Sequence, residues 1–249
     1  MEPAFGSGVF ASSGNKWKVT RDMIRPFFDN QHIADLRLLE RHVQNLLSTM
    51  PLDDSPVDLQ PLFFRFTLDL TIEFLFGENM NTLTVRSAAD SDFEWAFDHV
   101  QRYVDYRMRL GPFMNWRKQT REDKRAIYIV RQFARNLIDT AKTKLQAEST
   151  DDKRHHVFLY HLMQQETDTQ RLMDEVLNML LAGRDTTASL LANMFFFITK
   201  DPRIWQNLKH EVQETLCGKL PSLKELEGMK HLRWCVTEGK HLKSATKPT

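Results

Sequence analysis

Residues 169–199 read TQRLMDEVLNMLLAGRDTTASLLANMFFFIT. The stretch is the most hydrophobic long segment of the chain, and its apolar residues lie nearly all round a helix of 3.6 residues per turn. A helix of that kind is expected to be buried on most of its sides. It is no membrane span: Arg184 and Asp185 stand adjacent at its centre, flanked by Asn178 and Asn193, and charges at mid-bilayer are costly. Its middle, Ala182-Gly183-Arg184-Asp185-Thr186-Thr187, breaks local rules. Glycine costs about 1 kcal/mol against alanine inside a helix. Asp and Thr compete for backbone hydrogen bonds, and a buried carboxylate is costly unless paired.

Two readings of that middle stay open. In one, Gly183 lets a flat ligand approach the backbone, the Thr186 hydroxyl bonds the Ala182 carbonyl one turn back, and Asp185 is an acid able to pass protons. In the other, Gly183 permits a close helix crossing, and Asp185 pairs with Arg184 or another base.

Outward from this segment, helical spacing continues in both directions. Residues 201–216 open on Asp201-Pro202 as an amphipathic helix. Upstream, helices are expected over about 157–165, 118–147, 90–109, 59–76 and 35–50, with another from Trp17 to Ile24 that runs into Pro26. Gly77 is a left-handed C-cap for the 59–76 helix, Pro51 stops the 35–50 helix, and Gly111-Pro112 breaks the 90–109 helix. Residues 148–156 read as a polar loop, and residues after Glu238 as polar, basic and aperiodic. No extended strand pattern and no repeat is evident.

The second motif is Trp17-Lys18-Val19-Thr20-Arg21. Trp17 and Arg21, four apart, share a helix face. An indole N–H beside a guanidinium suits a carboxylate pair on an otherwise apolar ligand, and equally makes a surface cation–π pair. The aromatic stripe of residues 62–77 reads as core. His155, His156 and His161 are not at metal-binding spacing, and neither Cys217 nor Cys235 has a partner at such spacing. Composition agrees with a folded chain: 249 residues, 41% hydrophobic, with a formal net charge of +1. So small a net charge gives no electrostatic reason to expect nucleic acid. Two cysteines make no disulfide framework.

Taken together, these residues resemble the cytochrome P450 family. Residues 182–187 are similar to that family's A/G-G-x-D/E-T-T/S motif in the long helix I, and Trp17 to Arg21 to the W-x-x-x-R of helix C. The neighbouring stretches 8–17 and 25–28 resemble fungal microsomal members of the alkane and fatty-acid hydroxylase type. The resemblance covers residues 6 to about 238. It implies a mainly α fold: the central helical part of that architecture, helices C to J and the start of K, with the sheet and the proximal heme loop largely missing. Residues 1–238 are then a partial domain and 239–249 a non-matching tail.

By resemblance the cofactor is b-type heme. Trp17 and Arg21 contact a heme propionate, and Ala182 and Gly183 line its distal face. Thr186 holds the oxygen group and its water by hydrogen bonding, and Asp185 relays protons. The implied activity is insertion of one atom of O2 into an apolar organic substrate, with electrons from a flavin reductase, at the cytosolic face of the endoplasmic reticulum membrane. The 90–109 and 118–147 helices would match F and G, with the 112–116 link touching a membrane surface. Two motifs of the family are missing: the F-x-x-G-x-x-x-C-x-G loop that supplies the axial cysteine, and the E-x-x-R of helix K, since His241 follows Glu238 three residues on. No membrane anchor is expected within the chain as written. A truncated and by itself inactive monooxygenase is therefore the expectation. The alternative is a non-catalytic helical protein that binds an apolar ligand or partner, and scattered histidines are all that supports a metal-dependent hydrolase.

Overall fold

The computed structural model describes residues 2–28, 36–53, 55–85, 87–111, 118–147 and 157–245. Among them the regular structure is entirely helical: α1 (Glu2–Phe5), α2 (Gly14–Ile24), a 3-10 turn (Arg25–Phe28), α3 (Leu36–Ser48), α4 (Leu59–Phe76), α5 (Ala88–Leu110), α6 (Arg121–Ala147), α7 (Phe158–Gln165), α8 (Thr169–Lys200), α9 (Pro202–Leu216), α10 (Leu223–Gly228) and α11 (Lys230–Ala245). The architecture is thus mainly α, as expected. The 112–116 link, the 148–156 loop with His155 and His156, Asp35, and residues 246–249 lie outside the described residues.

Side chains at the helix starts explain most boundaries. The Asp58 carboxylate accepts from Gln60 N–H, that of Asp168 from Gln170 N–H, and that of Asp201 from Arg203 N–H. Ser87 with Asp90, and Ser222 with Glu225, form reciprocal capping boxes. Helix α6 begins three residues later than its periodicity suggests. Thr120 is its cap: Thr120 N–H donates to Asp123 Oδ2 at 2.9 Å, and Asp123 N–H donates to Thr120 Oγ1 at 3.1 Å. Gly77 ends α4 with φ 70 and ψ 15, the left-handed cap anticipated for it.

The core lies where α4, α5, α6 and the first half of α8 meet, closed by α7 and the N-terminal segment. Phe5, Phe27, Ile72, Phe97, Val130, Phe158 and Leu177 are all buried there. A second cluster gathers Leu46, Phe63, Phe66 and Ala188 between α3, α4 and the later part of α8.

Two expectations about the second half of the chain need correction. Burial of the long helix on most sides holds only for residues 172–180, which are buried without a break; beyond them only Arg184, Ala188, Met194 and Ile198 are buried. The later part has α4 on one side and α9 and α11 further along, while Thr186 and Thr187 face solvent. The residues after Glu238 are not aperiodic coil either: the backbone stays helical to Ala245. Gly239 is tolerated inside α11 because it packs against α8, where an added Cβ would lie 3.0 Å from Leu190 Cδ1. Among the described residues no helix is long and apolar enough to cross a membrane.

Candidate functional site

The Ala182–Thr187 turn sits where α8 passes from sealed to open, and its side chains point in three directions. Thr186 Oγ1 donates to the Ala182 carbonyl at 2.7 Å. This is the polar notch the spacing suggests, and it lies on the open side. Gly183 faces α4 instead. An added Cβ would lie 2.5 Å from Thr71 Oγ1 and 2.6 Å from Thr71 Cγ2, so the glycine serves the α4–α8 crossing. Thr67 Oγ1 of α4 lies 2.9 Å from the carbonyl oxygens of both Phe63 and Arg184. Its single proton is shared between its own helix and α8. Of the first reading the Thr186–Ala182 bond is present, but Gly183 is closed off by Thr71; of the second, both the close crossing and the Arg184–Asp185 pairing are present.

Arg184 and Asp185 take the third direction, toward α5. The Arg184 side chain is 4% exposed, and its Nη1 donates to Asp98 Oδ1 at 2.7 Å and to Asp185 Oδ1 at 3.1 Å. The guanidinium carbon lies 5.1 Å and 5.2 Å from the ring centroids of Phe64 and Phe97, a desolvated cation between two rings. Burial pushes the Asp185 carboxyl above the usual carboxylate range; Arg184 pulls it back, Asp98 pushes it further up, and the Gln101 side chain lowers it. The pair closes the floor of an open cleft of about 540 Å3, whose walls include Phe64, Arg65, Glu94 and Asp98.

Trp17 and Arg21 stack on one face of α2, with the Arg21 guanidinium carbon 5.5 Å from the indole centroid. Trp17 is 41% exposed. Neither side chain hydrogen-bonds or ion-pairs with another described residue, so both offer donors outward. The segment before α2 is held by residues that sequence reading did not single out. Ser7 N–H donates to Asp174 Oδ2 at 2.9 Å, Val9 N–H to Glu175 Oε2 at 3.0 Å, and Phe10 N–H to Asn178 Oδ1 at 3.0 Å. Asn178 Nδ2 donates to the carbonyls of Phe5 at 2.8 Å and Asp174 at 2.7 Å. Arg131 of α6 donates to the Ala4 carbonyl and to Asp174 Oδ1, each at 3.0 Å. The clue was in the sequence: acids and an amide in an apolar helix need partners, and Gly6 and Gly8 leave room for close approach. An added Cβ would lie 2.0 Å from the Asp174 carboxyl carbon at Gly6, and 2.4 Å from Asn178 Nδ2 at Gly8. Burial pushes the Glu175 carboxyl up to about 7, against the pull of Val9 N–H and Arg171.

Neither cysteine is near the Ala182–Thr186 turn. Cys217 caps α9 in the left-handed conformation. Cys235 lines an apolar recess with Met194, Phe197, Ile198 and Trp234 at the far end of α8, and burial there raises its thiol pKa. His161 Nε2 lies 3.2 Å from the Met23 carbonyl and 2.9 Å from Gln165 Nε2.

Comparison with known proteins bears on this geometry. Residues 2–239 match the family model described as Cytochrome P450. The chain is 38% identical over 260 residues to Cytochrome P450 monooxygenase fsdH of Fusarium heterosporum, covering 97% of this chain and 45% of that protein. It is 37% identical to Cytochrome P450 monooxygenase himC of Aspergillus japonicus, covering 96% of this chain and 44% of that one. It is 33% identical to Cytochrome P450 52C2 of Candida maltosa, covering 96% and 49% respectively. The chain spans about half the length of these curated relatives.

Proposed function

Because this chain belongs to the cytochrome P450 family, we propose that it is the distal helical part of a heme monooxygenase that inserts one atom of O2 into an apolar organic molecule. The observation that carries the reading is the notch on the open side of α8, where the Thr186 hydroxyl is held on the Ala182 carbonyl at 2.7 Å. It stands one residue from an acid whose pKa burial has raised.

The described residues fit the flat side and the carboxylate edge of a b-type heme. The open turn at Ala182 and Thr186 is small and polar within an apolar helix, and Trp17 and Arg21 present unengaged donors on one face of α2. Ala182 and Gly183 would line the distal side, Gly183 through its backbone, since its Cα position is closed by Thr71. Trp17 and Arg21 would hold a propionate. The axial thiolate is a different matter, because neither Cys217 nor Cys235 lies by the Ala182–Thr186 turn. When bound through a cysteinate, heme supplies the electron-rich iron at which dioxygen is cleaved.

The chain's own contribution is placement and proton handling. Thr186 Oγ1 offers a hydroxyl that can leave the Ala182 carbonyl and donate outward at little cost, because that carbonyl keeps its place in the helix ladder. Asp185 holds a proton more readily than an ordinary carboxylate and stands one residue away in sequence, which suits a proton relay. The packed α4–α8 crossing fixes both. A flavin reductase as electron donor and a site on the cytosolic face of the endoplasmic reticulum membrane belong to the same reading.

The test is a chimera in which residues 6–238 replace the matching segment of a full-length relative. It is expected to give the thiolate-type Soret band on reduction under carbon monoxide and to oxidise an apolar substrate. The 249-residue chain alone is expected to give no such band. A thiolate band from the chain alone, or a chimera that folds without binding heme, would overturn the reading.

A further inference from the structure

We propose that Arg184 and Asp98 are positioning residues for Asp185: one guanidinium, clamped between two phenyl rings and shared by carboxylates of two helices, ties the placement of the Asp185 carboxyl to the position of α5. This deepens the proposed function and rests on it for the role of Asp185, but the geometry stands by itself.

Arg184 is an unexpected residue for its place. It is buried in a protein interior where an unpaired guanidinium would be very costly. It is retained with one strong bond to Asp98 of α5 at 2.7 Å and a longer one to Asp185 of its own helix at 3.1 Å. The shorter bond goes to the more exposed acid: the Asp98 side chain is 52% exposed and that of Asp185 20%. The rings of Phe64 on α4 and Phe97 on α5 hold the guanidinium, so it has little freedom to follow either carboxylate. Arg184 Nε and Asp185 Oδ2 are left without a well-formed hydrogen bond. Both atoms are buried, although their residues border the open cleft.

The consequence is a three-body arrangement. If α5 moves away, Asp98 and the Phe97 ring go with it, Arg184 is left with Asp185 as its one carboxylate, and the carboxylate form is favoured. If α5 stays, Asp98 draws the cation off, and Asp185 holds its proton more easily. The other charges facing Asp185 across the cleft are Arg65 from α4, and Glu94 and Arg102 from α5. Arg65 and Glu94 pair with each other at 3.4 Å, which leaves the Arg184–Asp98 couple as the closest influence.

The experiment is a carboxyl-carbon NMR titration of Asp185 in the full 249-residue chain, with the amide spectrum as the control for folding. Asp98→Asn, at a half-exposed position, removes a negative charge and frees Arg184, and is expected to lower the Asp185 midpoint. Arg184→Gln removes the cation and is expected to raise it by about one pH unit or more, a tenfold change in proton affinity. Arg184→Lys keeps the charge and is expected to stay closer to the parent. Opposite displacements from Asp98→Asn and Arg184→Gln support the proposal, because a merely structural role would not give them opposite signs. Displacements of the same sign, or none in Asp98→Asn, overturn it. A failure of the oxygenase reading shows elsewhere: in the chimera, the pH–rate profile would stay put while both titration shifts remained intact.

Discussion

The two halves of α8 are one continuous helix built on opposite plans. From Leu172 to Leu180 every residue is buried, including Asp174, Glu175 and Asn178. From Arg184 onward burial returns only at Arg184, Ala188, Met194 and Ile198, and Phe196 is 52% exposed. In the first half, polar side chains turn inward to hold the backbone of residues 5–10. In the second, polar side chains line an open notch and a cleft. Buried polar groups in the first half are thus structural fasteners, and those at Asp185, Thr186 and Thr187 in the second are left partly or fully exposed.

The asparagines that flank the motif should break along that divide with the largest effect. Asn178 is fully buried and satisfies Phe10 N–H and the Phe5 carbonyl. Asn178→Leu strands both, and each orphaned buried group costs roughly 1–3 kcal/mol. A loss of about 3 kcal/mol in urea unfolding is expected. Asn193→Ala, on the half-open side, should cost no more than about 0.5 kcal/mol. Equal losses at the two sites would erase the distinction between the halves.

The junction itself is the next test. Gly183→Ala drives a methyl into Thr71, and overpacking of this kind costs about 1–3 kcal/mol. Thr71→Ala in the same chain removes the atoms in the way and should recover part of the loss. Gly228→Ala is the control, because nothing lies within 4 Å of its added Cβ; it should be neutral or slightly stabilising in a helix. If Gly183→Ala were equally harmless, the close α4–α8 crossing would not be what the glycine is for.

How far the sequence reveals this arrangement depends on the range of the forces involved. The end of α4 at Phe76 and the start of α9 at Pro202 were legible, because Gly77 and Asp201-Pro202 act on their nearest neighbours. So was the Thr186–Ala182 bond, one helical turn long. The fastening of residues 5–10 to Asp174, Glu175 and Asn178 was not, since the partners lie more than 160 residues apart in sequence. The direction of Gly183 was open for the same reason: periodicity places it on a face, but only the position of α4 says what that face meets. The start of α11 was expected, but its turns after Glu238 were missed, because a polar, basic stretch without an apolar stripe has no sequence signature to separate it from coil.

The smallest effect separates the acids of the two halves. Glu175 is 1% exposed, and its pKa is pushed up to about 7. A carboxyl raised in the folded chain binds its proton more tightly there than in the unfolded chain. Its contribution to stability is therefore complete below the ordinary value of 4.5 and is lost as the pH climbs through about 7. Glu175→Gln never ionises, while its amide oxygen can still accept from Val9 N–H. The two proteins should unfold alike at about pH 5, and at about pH 8 the variant should be the more stable by on the order of 1 kcal/mol, once relaxation around the buried charge is allowed for. Acids elsewhere whose pKa values are lowered, such as Asp123, affect both proteins equally and cancel in the difference. A gap that stays the same at both pH values would mean Glu175 is already ionised in the folded chain, and the first half of α8 would then tolerate charge as readily as the second.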